Sequence, residues 1–311
     1  MMGVDAPAPR GSPQPLVALC GHLDTVPVHD ADRGGPRREG GRLVAPGASD
    51  MKGGLALMMA LAEALPAAER FCDLALVFYS REEGPYLENE LEDVLAAAPE
   101  LAEVALALCL EPTDNRLQLG CVGSIHATFT FQGKAAHSAR PWHGQNAVHR
   151  AGPLLAELQA RAPREAVSGG LPFREVLSVT RIEGGRARNV VPDACTLNLN
   201  FRFAPDKTLE EAAAELTALG TRHGAEVQLT DLSPACPAYR TNPLVRRLLD
   251  ATGVVAEPKQ AWTDVARLHV HGIPAVNLGP GATGQAHQRG EWIEVEALAQ
   301  GYRLYEKFLR R

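Results

Sequence analysis

Residues 16–27 read LVALCGHLDTVP, an unbroken apolar run that stops at Gly21-His22. Residues 74–83 read LALVFYSREE and residues 104–111 read VALALCLE, so two further apolar runs stop at carboxylates. Runs of this length, bounded by turn residues, predict strands buried on both faces. Between the first two lies GLALMMALAEAL (54–65), apolar on nearly every side, which predicts a buried helix with Ser49-Asp50 as its N-cap pair. Strands alternating with helices predict an α/β domain on a mostly parallel sheet.

The pattern then changes. Residues 124–131 (SIHATFTF), 176–182 and 194–203 alternate apolar with polar, as strands with one wet face do. Helical patterns cover 145–162 and 208–223, the second opening on a Thr cap, and 225–229 is a short strand. Strand, helix, strand, strand, helix, strand is the order of a ferredoxin-like α+β domain. After Ser233-Pro234 the first pattern returns, with a helix over 242–252, a strand over 275–278 and a closing helix over 294–311. The chain therefore divides into an α/β domain (1–117 and 234–311) interrupted by an inserted α+β domain (118–233).

Composition narrows the class. The 311 residues are 45% hydrophobic and 22% charged with a net charge of -6, which suits a globular protein and not a nucleic-acid binder. No apolar run has membrane-spanning length. Residues 1–15 are rich in Pro, Gly and Ala and do not read as a signal peptide. The six cysteines show no CxxC spacing and read as buried, reduced thiols, which points to the cytoplasm.

Ligand-type residues sit at the strand ends. His22, Glu82-Glu83 and Glu111 close the three runs, Asp50 precedes the buried helix, and His287 lies past the Gly-rich loop after 275–278. In an open α/β sheet such positions share one edge. Imidazole and carboxylate suit zinc, and two His with three carboxylates exceed what one catalytic ion needs. They suit two ions about 3.5–4 Å apart with one carboxylate shared, and the Glu doublet can supply one ligand and one base.

The motifs resemble peptidase family M20, and within it the succinyl-diaminopimelate desuccinylases. They are Gly21-His22-Leu23-Asp24-Thr25-Val26-Pro27, Gly47-Ala48-Ser49-Asp50-Met51-Lys52-Gly53-Gly54, Glu82-Glu83-Gly84, Glu111-Pro112-Thr113, Gly133-Lys134-Ala135-Ala136-His137-Ser138, Arg188-Asn189-Val190-Val191-Pro192 and Trp262-Thr263-Asp264. The resemblance implies a zinc-hydrolase catalytic domain with an inserted lid and dimerisation domain. It implies two divalent ions, zinc first with cobalt or manganese as alternatives. His22 and Glu111 would hold one, Glu83 and His287 the other, and Asp50 both. It further implies Glu82 as general base, Asp24 as the carboxylate orienting His22, and a cis peptide at Asp50-Met51. His137 would stabilise the oxyanion, reaching the partner's site in dimeric members, while Asn189, Arg202, Ser124 and Arg140 would contact substrate.

The implied reaction removes succinate from N-succinyl-LL-2,6-diaminopimelate in lysine and cell-wall synthesis, in a cytoplasmic homodimer whose partner is a small acylated amino acid. The alternatives are an N-acetyl-amino-acid deacetylase of the acetylornithine type or a dipeptidase with the same site, and, in another class, a non-catalytic binding protein on this scaffold. Retention of five ligands and the base argues against the last. Two departures stand out: Arg81 occupies a position that is acidic in many members, and only a Pro-rich tail precedes the His22 strand, where members carry a helix and another strand.

Overall fold

Val17, Ala18, Leu19 and Cys20 are all at most 2% exposed, so four consecutive side chains, pointing alternately up and down, are covered on both sides of the sheet. Leu106, Ala107, Leu108 and Cys109 repeat this in the neighbouring strand. The computed structural model describes residues 3–4, 14–28, 32 and 34–311. It forms two units, one of Met1–Gly120, Pro237–Lys259 and Thr263–Arg311, the other of Cys121–Cys236 and Gln260–Trp262.

In chain order the first unit contributes β1 (Gly3–Val4), β2 (Leu16–His22), β3 (Arg37–Glu39), β4 (Arg42–Val44), α1 (Gly53–Ala64), β5 (Asp73–Tyr79), α2 (Leu91–Ala97), β6 (Val104–Cys109) and β7 (Leu117–Leu119). The second contributes β8 (Gly123–Gln132), α3 (Ala147–Ala160), β9 (Arg164–Ser168), β10 (Leu171–Gly184), β11 (Ala194–Phe203), α4 (Leu209–Arg222) and β12 (Glu226–Ser233). The first unit resumes with α5 (Pro243–Thr252), β13 (Ala256–Pro258), α6 (Val265–Val270), β14 (Ala275–Asn277), β15 (Trp292–Glu294) and α7 (Val295–Leu309).

The main sheet has seven strands in the order β1-β5-β2-β6-β14-β7-β13. Its centre is parallel, since β2 pairs with β5 and β6, and β14 with β6, all in that sense. It is a mixed sheet overall, because β1 and β7 run against their neighbours β5 and β14. Of the stretch read as a tail, residues 3–4 form that β1 edge, while 1, 2 and 5–13 lie outside the described residues.

The second unit is antiparallel, in the order β12-β8-β11-β10-β9. Period-two alternation sends Ile125, Ala127, Phe129 and Phe131 of β8 and Leu197, Leu199, Phe201 and Phe203 of β11 to one face. There they pack with Ala147, Ala151 and Leu154 of α3 and Ala212, Leu216 and Leu219 of α4. Thr208 caps α4 through a reciprocal capping box with Glu211.

Several features depart from the sequence reading, which assigned no element to α2, β7, β13 or α6. Strand β9 and the small sheet β15-β4-β3 were not expected. Arg37-Arg38-Glu39 is wholly exposed, so that hairpin carries no apolar alternation to betray it. Ser49-Asp50 is not a helix cap: α1 starts at Gly53 with no side-chain cap. Ser49 Oγ instead donates to the Trp292 carbonyl at 2.8 Å, and the Asp50 carboxylate turns toward two histidines.

Candidate metal centre

Parallel strands bring the residues at their carboxyl ends to one edge. His22 ends β2, Glu82 and Glu83 come just after β5, Glu111 after β6, and His287 after β14. Arg81, at a positive φ of 62°, turns the chain out of β5 just before the Glu doublet. The loop after β14 lies so close to its neighbours that side chains are excluded. A Cβ on Gly279 would sit 2.3 Å from the Glu111 carbonyl oxygen, and one on Gly281 2.2 Å from that of Ser49.

These elements bring three sets of ligand atoms within coordination reach: His22, Asp50 and Glu111; Asp50, Glu83 and His287; and His22, Glu82 and Glu83. The first two share Asp50. Its Oδ1 lies 3.3 Å from His22 Nε2 and its Oδ2 3.5 Å from His287 Nε2. His287 Nε2 is also 2.9 Å from Glu83 Oε2. The Asp50-Met51 peptide is cis.

Asp24 ties the set together. Its Oδ1 lies 3.5 Å from His22 Nδ1, while its two oxygens accept the backbone N–H groups of Glu82 at 3.3 Å and Glu83 at 3.2 Å. One carboxylate thus orients an imidazole and seats both glutamates.

The electrostatics favour a cation. Burial and the neighbouring Glu111 charge push Glu82 well above the ordinary carboxyl range. Burial and Asp50 raise Glu83, and burial, with Asp50 adding, pushes Glu111 up to about 7 although His22 opposes this. Burial disfavours charge on His22, but hydrogen bonding to Asp24 and Asp50 outweighs it and raises the imidazole to about 12. Asp24 moves the other way, held below the ordinary range against its burial by His22 and the Glu83 N–H. Buried Glu111 Oε1 has no hydrogen-bond partner among the described residues. A desolvated oxygen without a donor is costly as it stands and suits a metal ligand. The donor set of imidazoles and carboxylates therefore fits divalent ions.

One supporting residue escaped the sequence reading. Glu291, only 6% exposed, accepts the N–H groups of Ser49 and Asp50 on Oε1 at 2.7 and 2.8 Å, and that of Gly47 on Oε2 at 2.7 Å. It fixes the backbone that presents Asp50. More than 240 residues separate it from these partners, and a single Glu in a turn carries no local signal.

The other expected site residues belong to the second unit. His137 is exposed and its Nδ1 accepts the Ala139 N–H at 3.0 Å, which leaves Nε2–H as a free donor. The Ser138 N–H donates to the Asn189 carbonyl at 2.9 Å, so the His137 and Asn189 loops adjoin. Arg140 is exposed beside them, its N–H donating to the His137 carbonyl. Ser124 and Arg202 face each other across β8 and β11.

The family model for peptidase family M20/M25/M40 matches residues 18–311. The chain belongs to this family. A relative from Mycobacterium tuberculosis is 37% identical over 94% of this chain and 82% of its own length. One from Corynebacterium glutamicum, named succinyl-diaminopimelate desuccinylase, is 36% identical over 94% of this chain and 80% of its own length. The crystal structure of aminopeptidase PepT from Bacillus cereus has the same fold, with a TM-score of 0.73 at 21% identity, covering 96% of this chain and 81% of that one. The Bacillus subtilis YXEP protein, described as a dinuclear metal-binding peptidase of family M20, superposes with a TM-score of 0.64 at 17% identity over 95% of this chain and 80% of its own.

Glu291 and Glu111 can each be tested. Glu291→Ala strips three buried N–H groups of their acceptor, at about 1–3 kcal/mol each. Its stability in urea should fall by at least about 3 kcal/mol, with less bound metal per chain, and a midpoint equal to that of the parent protein would refute the anchoring role. For Glu111 the variable is pH, in metal-free protein. Because the folded Glu111 carboxyl holds its proton up to about 7, against 4.5 ordinarily, its contribution is present at low pH and lost as pH rises through that window. Glu111→Gln should therefore melt with the parent protein near about pH 5 and above it near about pH 8.5. The reverse order would remove the electrostatic account.

Proposed function

We propose that the chain is a di-metal amidohydrolase that removes the succinyl group from N-succinyl-LL-2,6-diaminopimelate. The observation that carries the reaction class is the pair of ligand sets sharing Asp50, with Glu82 beside them. The substrate rests on the relatives, of which the Corynebacterium glutamicum protein and a Nitrosospira multiformis protein 30% identical over 96% of this chain both bear the desuccinylase name.

His22, Asp50, Glu83, Glu111 and His287 would hold the two ions, zinc by the preference of such donors. When bound, the ions polarise the scissile carbonyl and acidify the attacking water. Glu82 takes a proton from that water as its oxygen bonds to the carbonyl carbon. Glu82 then gives the proton to the amide nitrogen as the C–N bond breaks, releasing succinate and the free amine. Its burial beside Glu111 and Asp264 favours the protonated form that this second step needs. Asp24 keeps His22 oriented and Glu82 seated. His137 offers its Nε2–H to the developing oxyanion. Asn189, Arg202, Ser124 and Arg140 are the candidate substrate contacts.

The second unit is proposed as a lid through which two copies form a homodimer, with β9 as an edge strand open to pairing. A cytoplasmic setting is supported by six buried thiols, none in a disulfide. Among the described residues no helix is long and apolar enough to cross a membrane.

Hydrolysis of N-succinyl-LL-diaminopimelate, N-acetylornithine and a dipeptide, each with zinc and with chelator, tests the assignment. Zinc-dependent turnover of the succinyl compound supports it, preference for either of the others moves the chain to a sister activity, and metal binding without turnover of any of them overturns the enzyme reading. Glu82→Gln should bind zinc as the parent protein does while kcat falls by about 10³-fold or more. Native kcat in that variant would remove Glu82 from the proton transfers.

A further inference from the structure

The face of the second unit's sheet opposite its apolar core is polar and internally hydrogen-bonded. β8 and β11 set Ser124 opposite Arg202 and His126 opposite Asn200. Arg202 Nε donates to Asn200 Oδ1 at 3.0 Å. A guanidinium cannot accept, so this bond fixes which way the Asn200 amide faces. Asn200 Nδ2 is thereby turned the other way, where it donates to His126 Nε2 at 3.0 Å and Ser124 Oγ at 3.3 Å. His126 Nε2 must then be an acceptor and its Nδ1 carries the proton, so the Asn198 amide, whose Nδ2 is placed 3.3 Å from Nδ1, has to turn its oxygen to that N–H.

The arginine at the end of this chain is not itself satisfied. Among the described residues no hydrogen bond or ion pair reaches its terminal nitrogens, although burial lowers its pKa against the opposing influence of Asp231 and Cys121. With the Nε side occupied by Asn200, the Nη1–Nη2 end of the fork is the edge left for a bidentate anion.

We infer that His126 and Asn200 are positioning residues that hold the Arg202 guanidinium with its terminal N–H pair presented to a carboxylate of the substrate. This rests on the proposed function for the identity of the carboxylate and extends it to His126 and Asn200, which fix the receptor without touching the ligand. A neutral imidazole acceptor keeps the amide from flipping. A flipped amide would oppose its own NH₂ to the Arg202 Nε–H.

The full-length protein with zinc provides the test, using kcat and KM for N-succinyl-LL-diaminopimelate and the calorimetric Kd for succinate. His126→Leu and Asn200→Leu should raise KM and the succinate Kd about tenfold, with kcat within about twofold of the parent. His126→Gln, whose carboxamide oxygen can accept from Asn200, should recover most of the affinity. Unchanged KM and Kd in His126→Leu, or equal losses in His126→Gln and His126→Leu, would overturn the relay. If the parent protein binds succinate but does not cleave the succinyl substrate, the substrate assignment fails, and the Kd series alone decides the relay.

Discussion

Carboxylates buried together repel one another, and the centre is organised around that constraint. Glu82, Glu83 and Glu111 are each raised by burial and by a neighbouring carboxylate. Such a group has two ways to relax: bind protons or bind cations. The protein prepares for the second. It splits Asp50 between two histidines, leaves Glu111 Oε1 without a donor, and keeps the backbone under Asp50 in place through a further carboxylate, Glu291, that bonds only to N–H groups. The centre's stability is thus tied to what it binds, because Asp24 and Glu291 hold the carboxylates close together through backbone N–H groups.

Asp24 shows how few contacts set that geometry. Two consecutive N–H groups, those of Glu82 and Glu83, end on its two oxygens. Both glutamates lie in the turn after β5, and their surroundings differ. Glu83 reaches Asp50 and His287, and Glu82 stays with His22 and the buried Glu111 and Asp264 charges. The two glutamates therefore acquire different chemistry from their surroundings and not from their type. Asp264 is itself held behind them, receiving both Asn89 Nδ2 contacts at 3.0 and 2.9 Å and the Arg267 Nε–H at 3.3 Å.

Features that leave a local trace are the ones a sequence can reveal. His22, Glu82, Glu83 and Glu111 each close an apolar run, so each strand and the polar side chain it brings to the sheet edge were legible together. The two-residue period of β8 and β11 likewise separates core from polar face in the sequence alone. Asp50 was legible as a site residue but mistaken for a cap, because Ser-Asp before a helix looks alike in either role and only the third dimension shows the carboxylate turned to His22 and His287. Glu291 left no trace, since three backbone donors recruit it across the chain and its own neighbours explain nothing. The hairpin of β3 and β4 escaped because the wholly exposed residues of β3 show no alternation.

The second unit gives the two faces of one sheet different tasks in the fold, an apolar core on one and a hydrogen-bonded polar chain on the other. Its apolar face, with Phe129, Phe131, Phe201 and Phe203 under two helices, holds the strands rigid and in register. The opposite face inherits that precision. Ser124, His126, Asn200 and Arg202 can form a directional chain of hydrogen bonds because the pleat sets the spacing of alternate residues and the ladder sets their partners. A guanidinium on a loop would lose rotamer freedom with each binding event, at about 2 kcal/mol for a fully mobile side chain. One already tied through its Nε to a strand neighbour has met much of that cost during folding. Its terminal nitrogens then face outward already aligned, which is the geometry a bidentate carboxylate contact needs.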